Sequence, residues 1–128
     1  MVVIDTHVLI HDALEPKRLS APARKAMEGR DGALAASDIS IWEIAMLVAK
    51  ERLRLPADAA TFIEKLLEAR AIRILPITAK IAVLSQSDHF AHGDPADRII
   101  AATAIVHGAQ LVTADARLKR VSGLRVLW

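Results

Sequence analysis

The 128-residue chain is the length of one domain with a sizeable core, and its 53% apolar content marks it as globular rather than disordered. Charges interrupt even its most apolar stretches (Asp38, Glu43 and Lys50 in one of them), which excludes a bilayer span, and the absence of cysteine excludes disulfides, thiolate zinc sites and a cysteine nucleophile. A net charge of +2 with a pI near 9.3 permits a nucleic-acid partner without requiring one, while 3% aromatic content argues against a broad base-stacking surface. The N-terminus has no basic lead and no cleavage-like site, so a cytoplasmic location is expected.

In chain order, Val2–Ile4 is a short apolar run suited to a central strand, and it ends on Asp5. Thr6 to Leu14 follows as a helix that stops before Pro16. Ser20 caps a second helix, with Gly29 near its end. Residues 33–36 form a weak second strand, and Ile39 to Leu53 a strong helix halted by Pro56. Asp58 caps a helix reaching about Ala71, Ile72–Leu75 is a third strand, and Thr78 begins another helix. After a polar loop from His89 to Asp94, Pro95 to His107 is a helix with proline at its start and Gly108 just past its end. Gln110–Thr113 and Leu124–Leu127 complete the strands. Strands alternating with helices predict a single α/β domain over 1–128, a three-layer sandwich around a mostly parallel five-stranded sheet.

In such a sheet, strand C-termini and the N-termini of the returning helices share one edge, where ligands bind. Asp5 ends strand one, Glu43 lies in the first turn of the helix after strand two, Asp94 and Asp97 open the helix before strand four, and Asp115 follows strand four. Each has an ordinary alternative. Ser40-Ile41-Trp42-Glu43 fits a capping box, Asp94 fits an N-cap, Asp97 suits a helix dipole, and Asp115 fits a turn. Yet Glu43 is the only charge between Ile39 and Ala49, and Asp97 shares a helical face with Ile100, Ala101 and Ala104. Buried carboxylates need a compensating cation, so acids converging from four segments predict a shared divalent metal.

Other chemistries match less well. The five histidines form no zinc pattern; His7 and His11 share a helix face and read as packing or surface residues, while His92, beside Asp94, is a candidate phosphate contact. Arg117, Lys119 and Arg120 follow Asp115 and are candidates for a phosphate-gripping rim; Arg98 would pair with a carboxylate or face a substrate. An aspartyl-phosphate phosphatase would need an acid where His7 stands. A receiver domain would need an aspartate after Ile74-Leu75, and a dinucleotide-binding domain a G-x-G that the five glycines do not form.

Val3-Ile4-Asp5-Thr6-His7, Ser37-x-x-Ser40-x-Trp42-Glu43, Gly93-Asp94-Pro95-Ala96-Asp97-Arg98 and Val112-Thr113-Ala114-Asp115, in this order along nearly the whole chain, resemble the PIN domain, and within it the VapC-type toxins of bacterial toxin–antitoxin pairs. The resemblance implies a Mg²⁺- or Mn²⁺-dependent endoribonuclease with an acidic quartet of Asp5, Glu43, Asp97 and Asp115. Asp5 and Asp97 match the direct metal ligands, Asp115 a second or outer site, and Asp94 is either a further ligand or a helix cap. Thr6 and Thr113 would support the carboxylates. The resemblance also implies an RNA substrate, a VapB-type antitoxin and a homodimer, with strand one beside strand four. The alternative is a PIN-like module that binds RNA or protein without cutting, whose usual sign is loss of a quartet acid.

Overall fold

The computed structural model describes residues 1–29, 33–90 and 93–128. Among these, five strands and six α-helices alternate: β1 (Val2–Ile4), α1 (Thr6–Leu14), α2 (Ala21–Met27), β2 (Leu34–Ser37), α3 (Asp38–Ala49), α4 (Ala59–Ala69), β3 (Arg73–Leu75), α5 (Ala79–Ser85), α6 (Pro95–Val106), β4 (Gln110–Val112) and β5 (Val126–Leu127). Single 3₁₀ turns cover Pro16–Arg18 and Ala116–Arg120. The sheet order is β3-β2-β1-β4-β5, and all four pairings are parallel rather than most of them.

Side-chain alternation along the strands divides the core in two. Ile4, Leu34, Ala36 and Val112 face a layer that includes Val8 and Leu9 of α1, Ala23 and Met27 of α2, Ile44 and Leu47 of α3, and Phe62 and Leu66 of α4. Val3, Ala35 and Leu111 point the other way, onto Ile81 of α5 and Ile100, Ala101 and Ala104 of α6. With both faces covered, the strands read as continuous apolar runs, as the first one does.

Most helix starts follow their caps. Ser20 accepts a hydrogen bond from the Ala23 amide, Asp58 from Thr61, Thr78 from Ile81 and Asp94 from Ala96. α3 departs from expectation at both ends. The chain passes directly from β2 into the helix, with Ser37 as the cap (Ile39 N to Ser37 Oγ, 3.2 Å), so Ser40 lies inside the first turn and caps nothing. The helix then stops four residues before Leu53. Glu51 adopts a positive φ of 56°, and the Arg52 amide turns back to the Leu47 carbonyl at 2.9 Å. α4 closes the same way through Ala71 (φ 49°, Ile72 N to Leu67 O), and α6 through Gly108 (φ 61°, Ala109 N to Ala104 O). Only the last of these stops carries its glycine in the sequence.

Candidate active site

The strand order reverses direction between β1 and β4, and the crevice at such a switch point is where parallel sheets bind ligands. Asp5 leaves β1 there, with its amide bonded to the Val112 carbonyl of β4. Thr113 leaves β4 beside it. The Thr113 hydroxyl, fully buried, donates to Asp5 Oδ2 at 2.7 Å and accepts the Asp115 amide at 3.1 Å, so one side chain positions both acids. Asp5 is 6% exposed, and its other oxygen, Oδ1, is buried without a hydrogen-bond partner among the described residues.

Glu43 comes from the second turn of α3, not the first as expected, because the helix begins at Asp38; it is 4% exposed. This position rules out the capping-box alternative, since the helix begins five residues earlier. Its Oε1 is likewise buried without a partner among the described residues. Below it, the Thr6 hydroxyl donates to Ser40 Oγ at 2.9 Å, a buried bond joining α1 to α3. Ser40 had no part in the expected site beyond a cap. One helical turn before Glu43, it is the element that docks the α3 acid against the Asp5 strand, and its signal was the i, i+3 spacing to the glutamate.

Asp97 lies in the first turn of α6, with its side chain 19% exposed. Burial, and then the negative charges of Asp5, Asp94, Glu43 and Asp115, push its carboxyl from 3.8 up to about 7. Acids from four segments therefore lie within electrostatic reach of one another. Asp5 is also raised, by burial first, against the lowering effects of the Thr113 bond and His7. Glu43 is raised by burial, with Thr6 and His7 opposing. All three shifts have one sign: the pocket disfavours the negative charge it holds.

Asp115 is paired with a cation. The Arg117 backbone amide and Nε donate to its Oδ1 at 3.0 and 3.1 Å, and an Arg117 terminal nitrogen lies 2.9 Å from Oδ2. The same guanidinium reaches Asp97 only at 4.0 Å, and at 62% exposure it is too solvated to offset the surrounding acids. Asp94 is exposed and caps α6 through Oδ1, yet its charge is felt at Glu43 and Asp97. Arg98 and Arg117 line a cavity of about 30 Å³ with Asp97 and Asp115, room for roughly one water. The Arg98 Nε is buried with no partner among the described residues. Lys119 and Arg120 continue the same turn, exposed, and do not line that cavity. His92 lies outside the described residues.

A family model for the PIN domain matches residues 2–124. The chain belongs to the PIN domain family, and to its VapC type. Ribonuclease VapC22 of Mycobacterium tuberculosis is 43% identical over 119 residues, spanning 92% of this chain and 89% of its own. Among solved structures, the fold is similar to that of DNA-bound VapBC from Salmonella typhimurium (TM-score 0.72, 20% identity, 98% of this chain and 97% of that one). It is also similar to FitAcB from Neisseria gonorrhoeae (TM-score 0.69, 25% identity, 98% and 96%).

The donor set of this PIN domain suits a hard divalent cation. Two buried carboxylate oxygens, Asp5 Oδ1 and Glu43 Oε1, lack partners among the described residues, and the surrounding acids have raised pKa values that a cation would relieve. Among the described residues, no three His, Asp or Glu side chains converge closely enough to enclose an ion unaided.

Proposed function

We propose that residues 1–128 form one divalent-metal-dependent endoribonuclease, the toxin of a toxin–antitoxin pair acting in the cytoplasm. What supports this reading is electrostatic: acids from four separate segments lie within reach of one another's charge near the sheet's switch point, and two of them have buried oxygens that no described residue satisfies. The 43% identity to a protein named as a ribonuclease supports RNA as substrate. The fold shared with the VapBC and FitAcB structures supports a VapB-type antitoxin as partner. A homodimer completes the assembly.

Asp5 and Asp97 would hold Mg²⁺ or Mn²⁺, with Asp115 beside them and Asp94 at the rim. A bound divalent ion supplies Lewis acidity, offsetting phosphate charge and acidifying a water. Thr113, by occupying Asp5 Oδ2, leaves Oδ1 available and the carboxylate fixed. Glu43 orients the attacking water and takes its proton, a role favoured by the burial that raises its carboxyl above the ordinary value. As that water's oxygen bonds to phosphorus, a phosphorus–oxygen ester bond breaks and the leaving oxygen takes up a proton. Arg98 donates to the phosphate oxygens, which would satisfy its buried Nε.

The purified chain should cleave labelled RNA with Mn²⁺ and not with EDTA, and Asp97→Asn should lose at least about a hundredfold in rate. Equal cleavage by the variant would point to a contaminating nuclease and overturn the assignment. All four acids are present, which favours catalysis over a non-cutting PIN-like binding module. Sequencing RNA 5′ ends after induced expression identifies the substrate.

A further inference from the structure

A groove of about 420 Å³ runs along α1 to the chain just after α3. Its polar lining is His7, His11, Arg18, Arg52, Arg54 and Glu15. His7, which lines the groove, follows Asp5 by two residues on the same segment. His11 lies one turn further along the same face, with ring centroids 6.5 Å apart. Beyond it stand the arginines. Arg70 and Arg117 are each engaged with an aspartate, but among the described residues Arg18, Arg52 and Arg54 form no salt bridge. Three permanent cations thus face one carboxylate, Glu15, in a concave surface open to solvent.

We propose that this groove is a subsite for the RNA strand flanking the cleavage point, in which Arg18, Arg52 and Arg54 neutralise backbone phosphates and His11 donates a hydrogen bond to the strand. The inference rests on the ribonuclease reading above. It relocates the phosphate grip from the turn after Asp115, where Arg117 is already committed to carboxylates, to the opposite flank of the cluster. Burial, and then Arg18, hold His11 below its ordinary value, so near neutrality its ring carries one N–H and no charge. Guanidinium groups match phosphate geometry with paired donors, and three in a row supply affinity without base preference. The low aromatic content fits this: the strand would be held by its backbone rather than by stacking.

The test measures binding of a fluorescein-labelled single-stranded RNA to the full chain in EDTA, by anisotropy across a KCl series. The double variant Arg52→Gln/Arg54→Gln should bind about tenfold more weakly, and its log–log salt slope should be shallower by about 1.4, at ~0.7 for each phosphate no longer neutralised. Glu15→Gln should bind more tightly than the unaltered chain. With Mn²⁺ present, the double variant should raise KM about tenfold while kcat stays within about twofold. These residues lie at the surface of the groove, and circular dichroism melting checks that the variants fold. Unchanged affinity and salt slope, with the unaltered chain still cutting RNA, would overturn the groove while leaving the ribonuclease assignment intact. No cleavage by the unaltered chain with Mn²⁺ would instead remove the assignment itself. Variants that bind RNA normally but lose an acidic polyglutamate peptide would give the groove to a protein ligand and overturn the proposal.

Discussion

Asp97 concentrates the electrostatic tension of the molecule in one side chain. Its carboxyl is raised from 3.8 to about 7, by burial and then by its acidic neighbours. The folded chain therefore keeps a proton there that the unfolded chain releases, and the stability this contributes is complete below the lower value and lost as pH rises through the upper one. Asp5 and Glu43 shift in the same direction. Metal-free protein should accordingly melt at a lower temperature at about pH 8 than at about pH 5, and Asp97→Asn should flatten that dependence. A metal reverses the preference, because its ligands must be ionised; Mn²⁺ affinity should climb about tenfold per pH unit until near 7, by isothermal titration. Millimolar Mn²⁺ should also raise the melting temperature, and Asp5→Asn should remove most of that gain. A Tm indifferent to Mn²⁺ at neutral pH would leave the carboxylates without their expected cation.

Among the elements, α3 decides how Glu43 is presented. Its first turn is fixed by Ser37 as cap and by the buried Thr6–Ser40 bond, which ties it to α1 directly behind Asp5. Ser40→Ala removes the buried Thr6–Ser40 bond, and urea denaturation should show a loss of about 0.5–1.5 kcal/mol. Activity should fall further than stability predicts, since Glu43 loses its register against β1. Helix starts were legible because Ser20, Asp58, Thr78 and Asp94 carry their acceptors in the side chain. Helix ends were less so. Glu51 and Ala71 take left-handed backbone without being glycine, a conformation that tertiary packing imposes against local preference, and α3 therefore ends earlier than its apolar pattern suggests.

For the molecule as a whole, the sheet order brings the acids together. Placing β1 beside β4 puts residues 5 and 113 within one hydrogen bond across 108 positions of chain. The same packing leaves Val83 of α5 74% exposed, in an apolar groove it shares with Leu84, Ile105 and Val106. An exposed apolar face of this kind suits the proposed homodimer. Val83→Glu should shift gel-filtration mass from two copies toward one, and no change would move the dimer interface elsewhere. Among the described residues, no helix is long and apolar enough to cross a membrane, in keeping with the charge spacing of the apolar stretches.

Short apolar runs, helical patterning and the acids stationed at element junctions were readable along the chain because they are local: a strand or helix requires its residues consecutively. Those patterns already implied a parallel α/β sheet with Asp5, Glu43, Asp97 and Asp115 on one edge. The distances between the acids, the service of Thr113 to two of them, the engagement of Arg117 with Asp115 and the groove along α1 depend on contacts between remote segments. Such contacts leave no periodic trace in a single sequence, because each partner is chosen by how the layers pack and not by its neighbours along the chain.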